Sequence, residues 1–160
     1  MQGIIIRSPT ANGSSTTSSS PTLTATAVPK SVVLNDPTWI ASPLCTKLGV
    51  PLKARPCQLS ESLSYNYSAQ LLMLDPNAED AEFGKSVCEP LKGDVLVVRT
   101  DKGQHLGLER LRLVVRYVHE ELGELRSFWR REHVDDKAEA REVAERLVTA
   151  EVFETYRERA

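Results

Sequence analysis

Apolar residues recur from Leu108 through Leu111, Val115, Val118, Leu122 and Leu125 to Trp129 in alternating steps of three and four. This spacing keeps one face apolar at the helical period and predicts a long amphipathic helix over 107–131. Val114 widens the stripe beyond a two-residue coiled-coil seam, which favours packing on the chain's own sheet. Burying the seven seam side chains contributes roughly 10–20 kcal/mol gross, too much to leave facing water.

Other periods mark other elements. Tyr65, Tyr67, Ala69, Leu71 and Met73 alternate with Asn66, Ser68 and Gln70, the pattern of a half-buried strand ending at Asp75-Pro76-Asn77. Val95-Leu96-Val97-Val98 is a continuous apolar run after a Lys92-Gly93-Asp94 turn, and reads as a strand covered on both faces. The stretch 38–60 is punctuated by Pro43, Pro51 and Pro56. It reads as an irregular wrapped segment with Trp39 as its buried anchor. Ala140, Val143, Ala144 and Leu147 line one helical face, whereas Val152, Phe153 and Tyr156 fall almost opposite. One straight helix would expose one set. The pattern therefore predicts a helical pair over 136–158, broken at Val148–Thr149, with Thr149 capping the last helix.

From Ser8 to Thr26 the chain is dominated by Ser and Thr, and residues 1–30 read as a disordered tail with too little apolar surface to offset ordering entropy. The organisation predicted is this tail followed by a single α+β domain over 31–160. Its small, antiparallel sheet holds strands near 67–74 and 95–98 and is covered by the long helix and the helical pair.

Composition adds exclusions. The 160 residues are 41% hydrophobic and 26% charged, with a net charge of −2, so no overall field draws the chain to nucleic acid or an anionic membrane. No apolar run approaches the roughly 20 residues of a membrane span. Cys45, Cys57 and Cys88 are odd in number and widely spaced, which reads as reduced thiols in an intracellular, cytoplasmic or nuclear protein. Residues 1–35 lack Asp and Glu, as mitochondrial presequences do, but hold one Arg and one Lys and three helix-breaking prolines. Mitochondrial targeting is therefore the lesser reading.

The chemistry-bearing residues form no catalytic motif. His105, His119 and His133 recur every 14 residues, about 21 Å apart along a helix, too far to share a metal. No metal or cofactor is expected. Asn12 and Asn66 each begin a glycosylation sequon, without meaning in a chain lacking a secretory signal. The sharper feature is the flank of the long helix, where Arg112, Arg116, Arg126 and Arg130 fall together. Like charges four apart repel, so something negative should compensate. The intramolecular compensators are Glu139, Glu142 and Glu145 of the second helical stretch. The external one is an acidic partner. Leu113 and Tyr117, one turn apart and opposite the seam, form a candidate exposed strip.

The segments Asn66-Tyr-Ser-Ala-Gln-Leu-Leu-Met-Leu-Asp-Pro76 and Gly93-Asp-Val-Leu-Val-Val-Arg-Thr-Asp-Lys-Gly103 carry a resemblance. The order of a strand ending in Asp-Pro, a Val-rich strand ending in Arg-x-Asp and a long helix resembles uncharacterised small fungal proteins, over about 66–156. The resemblance implies a shared fold and no functional residues. Where that pattern places Thr or Ser as the helix cap, this chain has Gly107, so a weaker cap is expected.

The reading that follows is a non-enzymatic protein-interaction or adaptor domain that uses the exposed faces of the 107–131 helix. Arg112, Arg116, Arg126, Arg130, Leu113 and Tyr117 are its contact residues, and the partner is a protein. The alternative is a small enzyme or ligand-binding domain with a pocket near the Cys and His residues. The sequence leaves the oligomeric state open.

Overall fold

In the computed structural model, the structure describes residues 1–8, 21–30, 36–58, 63–75, 87–101, 105–122, 142 and 145–160. A five-stranded antiparallel sheet holds β1 (Gln2–Ile6), β2 (Leu23–Ala27), β3 (Ile40–Ala41), β4 (Leu52–Pro56) and β5 (Val95–Arg99) in the order β2-β1-β5-β4-β3. The class is α+β, as the alternation of patterns predicted.

β5 is central because it is apolar on both faces, and it pairs with β1 and β4. Register decides which side each residue serves. Ile4 and Ala54 both flank Val97, and Ile6 and Pro56 flank Val95, so Ile4, Ile6, Ala54, Val95 and Val97 lie on one face in the main core. Gly3 and Lys53 flank Val98 on the other face. There Val28, Trp39 and Val98 form a smaller buried cluster. Trp39 is 6% exposed, so the predicted anchor is buried, though on the face away from the main core. At Gly3 a Cβ would lie 2.7 Å from Val28 Cγ2 and 2.9 Å from Leu96 Cδ1. Only glycine admits that close approach.

Three sequence expectations change. The tail reading does not hold for residues 2–6 and 23–27, which are strands; its Ser/Thr-rich middle, 9–20, lies outside the described residues. β1 has only three consecutive isoleucines, and its partner β5 lies about ninety residues away, so local composition could not reveal the pairing. The 67–74 strand is instead a short helix, Tyr67–Leu71, followed by a turn. Asn66 caps it by accepting from the Ala69 N–H at 3.2 Å, and Ala69, Gln70 and Leu71 are good helix formers. Residues Ala69 to Leu74 are buried without alternation. The wrapped segment 38–60 contains β3, helix Pro43–Lys47 and β4. Its alternating Leu52, Lys53, Ala54 and Arg55 form a strand that the prolines bound rather than break.

Numbered in chain order, α1 is Pro43–Lys47 and α2 is Tyr67–Leu71. α3 is Leu108–Tyr117, continued by a π-helical turn Val118–Leu122, and α4 is Ala150–Arg159. The seam of α3 packs as predicted. Leu111, Val115, Val118 and Leu122 are buried in the main core. Residues 123–131 lie outside the described residues. Gly107 caps α3 with extended backbone and no side-chain hydrogen bond, the weak cap expected. Glu142 and residues 145–147 are helical, the chain turns at Val148–Thr149, and Thr149 caps α4 by accepting from Val152 N–H at 3.1 Å. Among the described residues no helix is long and apolar enough to cross a membrane.

Candidate binding surface

At its described positions, Arg112 and Arg116, the arginine flank is neutralised by its own helix. Arg112 pairs with Glu109 at 2.6 Å and Arg116 with Glu120 at 3.0 Å, both on the exposed side. Spacings of three and four residues bring these side chains together, so the helix need not borrow charge from Glu142 or Glu145, which are exposed. Arg126, Arg130 and Glu139 lie outside the described residues. The hydrogen bond from Arg116 holds the Glu120 carboxyl below the usual range, and the same bond raises Arg116. The second Glu120 oxygen accepts the Tyr156 hydroxyl at 3.0 Å.

Leu113 and Tyr117 do not form an exposed strip. Tyr117 is 1% exposed and Leu113 is half-buried against the core. The reason is α4, which docks on this side of α3. The Tyr117 ring meets Phe153 edge-on at 5.5 Å and Tyr156 at 5.0 Å between centroids, and its hydroxyl donates to the Leu147 carbonyl. Arg110 lies over Phe153 and pairs with Glu154 at 3.0 Å, closing the edge of the same contact. A helix apolar on both sides is covered on both sides. The Val152–Phe153–Tyr156 face, already visible in the sequence, was the signal that α4 needed a partner.

Besides these ion pairs, the helix exposes side chains at the π-helical turn that continues α3. Val118 and Leu122 stay buried there while His119, Glu120 and Glu121 face solvent. The His119 ring sits edge-on to Tyr67 at 6.1 Å, and Tyr67 lies 6.4 Å from Tyr65. Both tyrosines are exposed, at 42% and 44%. Local structure explains the placement. Asn66 turns inward, its Nδ2 donating to the carbonyls of Ile6 at 2.9 Å and Gly93 at 2.8 Å. Tyr65 and Tyr67 on either side of it are then left outward. Reading 65–73 as a strand hid this patch; the Asn66 cap was the available signal. The same burial removes Asn66 as a glycosylation acceptor in the folded chain, since it is 1% exposed with both amide hydrogens engaged.

The cysteines occupy unlike surroundings. Cys45 is buried in α1, and burial pushes its thiol up to about 12. Cys88 is half-buried, with Gln70 Nε2 donating to its sulfur at 3.8 Å. Cys57 is exposed beyond β4. Burial of part of its surface and the Asp94 carboxylate raise its thiol, outweighing Arg7 and Arg55. A thiol so placed is held in the protonated, weakly nucleophilic form. Desolvation pushes the Asp94 carboxyl up. Hydrogen bonds from the Ser8 N–H at 2.9 Å and Arg7 at 2.7 Å prevail and hold it below the usual range. Among the described residues, no group of three or more His, Cys, Asp or Glu is placed to hold a metal ion.

Compared with protein-family models, with curated proteins and with solved structures, the chain finds no match.

Proposed function

We propose that this chain is a protein-interaction module and that its partner docks on the patch of Tyr65, Tyr67 and His119. The observation that carries this reading is the pair of exposed tyrosine rings held against His119 at the π-helical turn. Tyrosine supplies a broad apolar face and a polar tip at low entropic cost, and for that reason concentrates at interfaces. π-Helical turns often accompany functional sites, which supports the same position. Arg116 and Glu120 beside the patch give it a polar rim of both signs. The paired arginines and the net charge of −2 support a protein partner over a nucleic acid. The three cysteines, none of them in a disulfide, support a reducing, intracellular setting.

The experiment is affinity capture with the wild type beside the double variant Tyr65→Ser/Tyr67→Ser, with circular dichroism to check folding. A specific protein retained by the wild type and released by the folded variant supports the reading. Arg116→Glu, which changes the rim, should weaken the same capture. Identical sets of retained proteins for wild type and variant would overturn it.

A further inference from the structure

Among the described residues, β2 is an edge of the sheet, with β1 as its strand neighbour. The hydrogen bonds at its ends fix which way its backbone groups point. Val28 N–H donates to the Met1 carbonyl at 2.8 Å, the Met1 ammonium donates to the Val28 carbonyl at 2.9 Å, and Arg7 N–H donates to the Thr22 carbonyl at 2.9 Å. Antiparallel pairing alternates along a strand. Thr22, Thr24, Thr26 and Val28 therefore face β1, and the N–H and C=O groups of Leu23, Ala25 and Ala27 face outward. Ala25 and Ala27 are exposed.

The sequence around this edge is nearly its own reverse. Pro21-Thr-Leu-Thr-Ala-Thr-Ala-Val-Pro29 has Pro at both ends, Thr24 and Thr26 symmetric about Ala25, and β-branched Thr22 and Val28 at matching places. Between Arg7 and Lys30 there is no charged residue. Edges that must stay unpaired usually carry a charge, a proline or a bulge within the strand, and Leu23–Ala27 carries neither charge nor proline.

We propose that β2 pairs antiparallel with β2 of a second copy about a two-fold axis at Ala25, joining two sheets into one. Ala25 then lies opposite Ala25 of the second copy, and Leu23 opposite Ala27. All three outward N–H groups of each strand meet a carbonyl. Pairing stops where Pro21 comes opposite Pro29, because proline has no N–H to donate. A second copy is the occupant the edge fits. Its hydrogen-bond pattern is self-complementary, as an isologous contact requires. The exposed alanines offer small side chains at the contact and the strand itself carries no charge; the Arg7 guanidinium that reaches Thr24 at 3.4 Å is already paired with Asp94. One strand pair covers less than the roughly 1,000 Å² of a stable interface, so the dimer forms and dissociates with concentration. The edge shares no residue with the tyrosine patch, and the pairing does not rest on that reading.

Sedimentation velocity of the full chain across a concentration series tests this. The wild-type sedimentation coefficient should rise from monomer towards dimer. Ala25→Pro removes an outward N–H and no bond to β1, and should weaken dimerisation by about tenfold or more. Ala25→Lys and Ala25→Glu should each be monomeric, because like charges would meet at the axis, and an equimolar mixture of the two should restore the dimer. That mixture decides the matter even if the proline variant fails to fold. A wild type that stays monomeric throughout, or charge variants that dimerise as the wild type does, would overturn the proposal.

Discussion

The Tyr117 hydroxyl donates to the Leu147 carbonyl across the junction of α3 and α4. This bond joins the middle of the long helix to the residue just before the Val148–Thr149 turn. The carbonyl lies near a helix end, where intrahelical donors run out. Tyr117→Phe keeps the ring against Phe153 and Tyr156 but leaves that acceptor unsatisfied. The variant should lose about 1–3 kcal/mol, read as a lower urea midpoint at unchanged slope. Tyr156→Phe removes a hydroxyl whose partner, Glu120, is exposed, and should cost distinctly less.

The same residue sets an alkaline limit. Burial, with Glu121 and Tyr156 adding to it, pushes the Tyr117 hydroxyl up to about 12 from an ordinary value of 10.0. Its folded value is raised, so its contribution is complete below about pH 10 and falls away as pH rises towards 12, where the unfolded chain ionises first. Cys45 acts in the same direction, starting from 9.0 and reaching about 12. Stability measured against pH should fall above about pH 9. Tyr117→Phe should make the decline shallower between pH 10 and 12, whatever its effect at pH 7. An unchanged slope in that variant would show that Tyr117 ionises freely in the folded chain.

How much of this was legible in the sequence depended on how local the determining contact is. The Val95–Val98 run, the seam of α3 and the Thr149 cap each carry their signal within a few residues, and each appears where the pattern put it. β1 and β2 do not. β1 pairs with β5 across about ninety residues and β2 pairs with β1, and the Ser- and Thr-rich composition around them masks two short strands. At residues 65–73 two periods competed, and a single side chain decided between them. Asn66 accepts from the helix and donates to two distant carbonyls, so burial of a polar residue, not alternation of apolar ones, sets that element. The candidate surface followed the same division. The positions of Arg112 and Arg116 on α3 were readable. The covering of Tyr117 by α4 and the meeting of Tyr67 with His119 required the tertiary fold.

Asn66 therefore offers a sharp test of the core. Asn66→Ala removes the cap of α2 and two donors to the buried carbonyls of Ile6 and Gly93. The cap alone contributes about 1 kcal/mol. Each orphaned carbonyl adds about 1–3 kcal/mol. The variant should be destabilised by several kcal/mol, visible as a large fall in thermal midpoint. Asn66→Asp restores the cap acceptor but turns a carboxylate oxygen towards the two carbonyl oxygens in a buried site, so it should be at least as destabilised as Asn66→Ala.

Gly107 should respond in the opposite sense. It begins α3 with φ −87° and ψ 151°, a conformation open to any residue, and a Cβ there would meet nothing within 4 Å. Its lack of a side chain leaves the first-turn N–H groups of α3 without a capping oxygen. Gly107→Asp supplies one, places a negative charge at the positive end of the helix, and lowers the entropy of the unfolded chain. Together these should stabilise the fold by about 0.5–1.5 kcal/mol. Gly107→Ala, which offers the entropy gain without the oxygen, separates the two effects. If aspartate exceeds alanine in chemical denaturation, the cap is formed. If the two are equal, the gain comes from the unfolded chain alone.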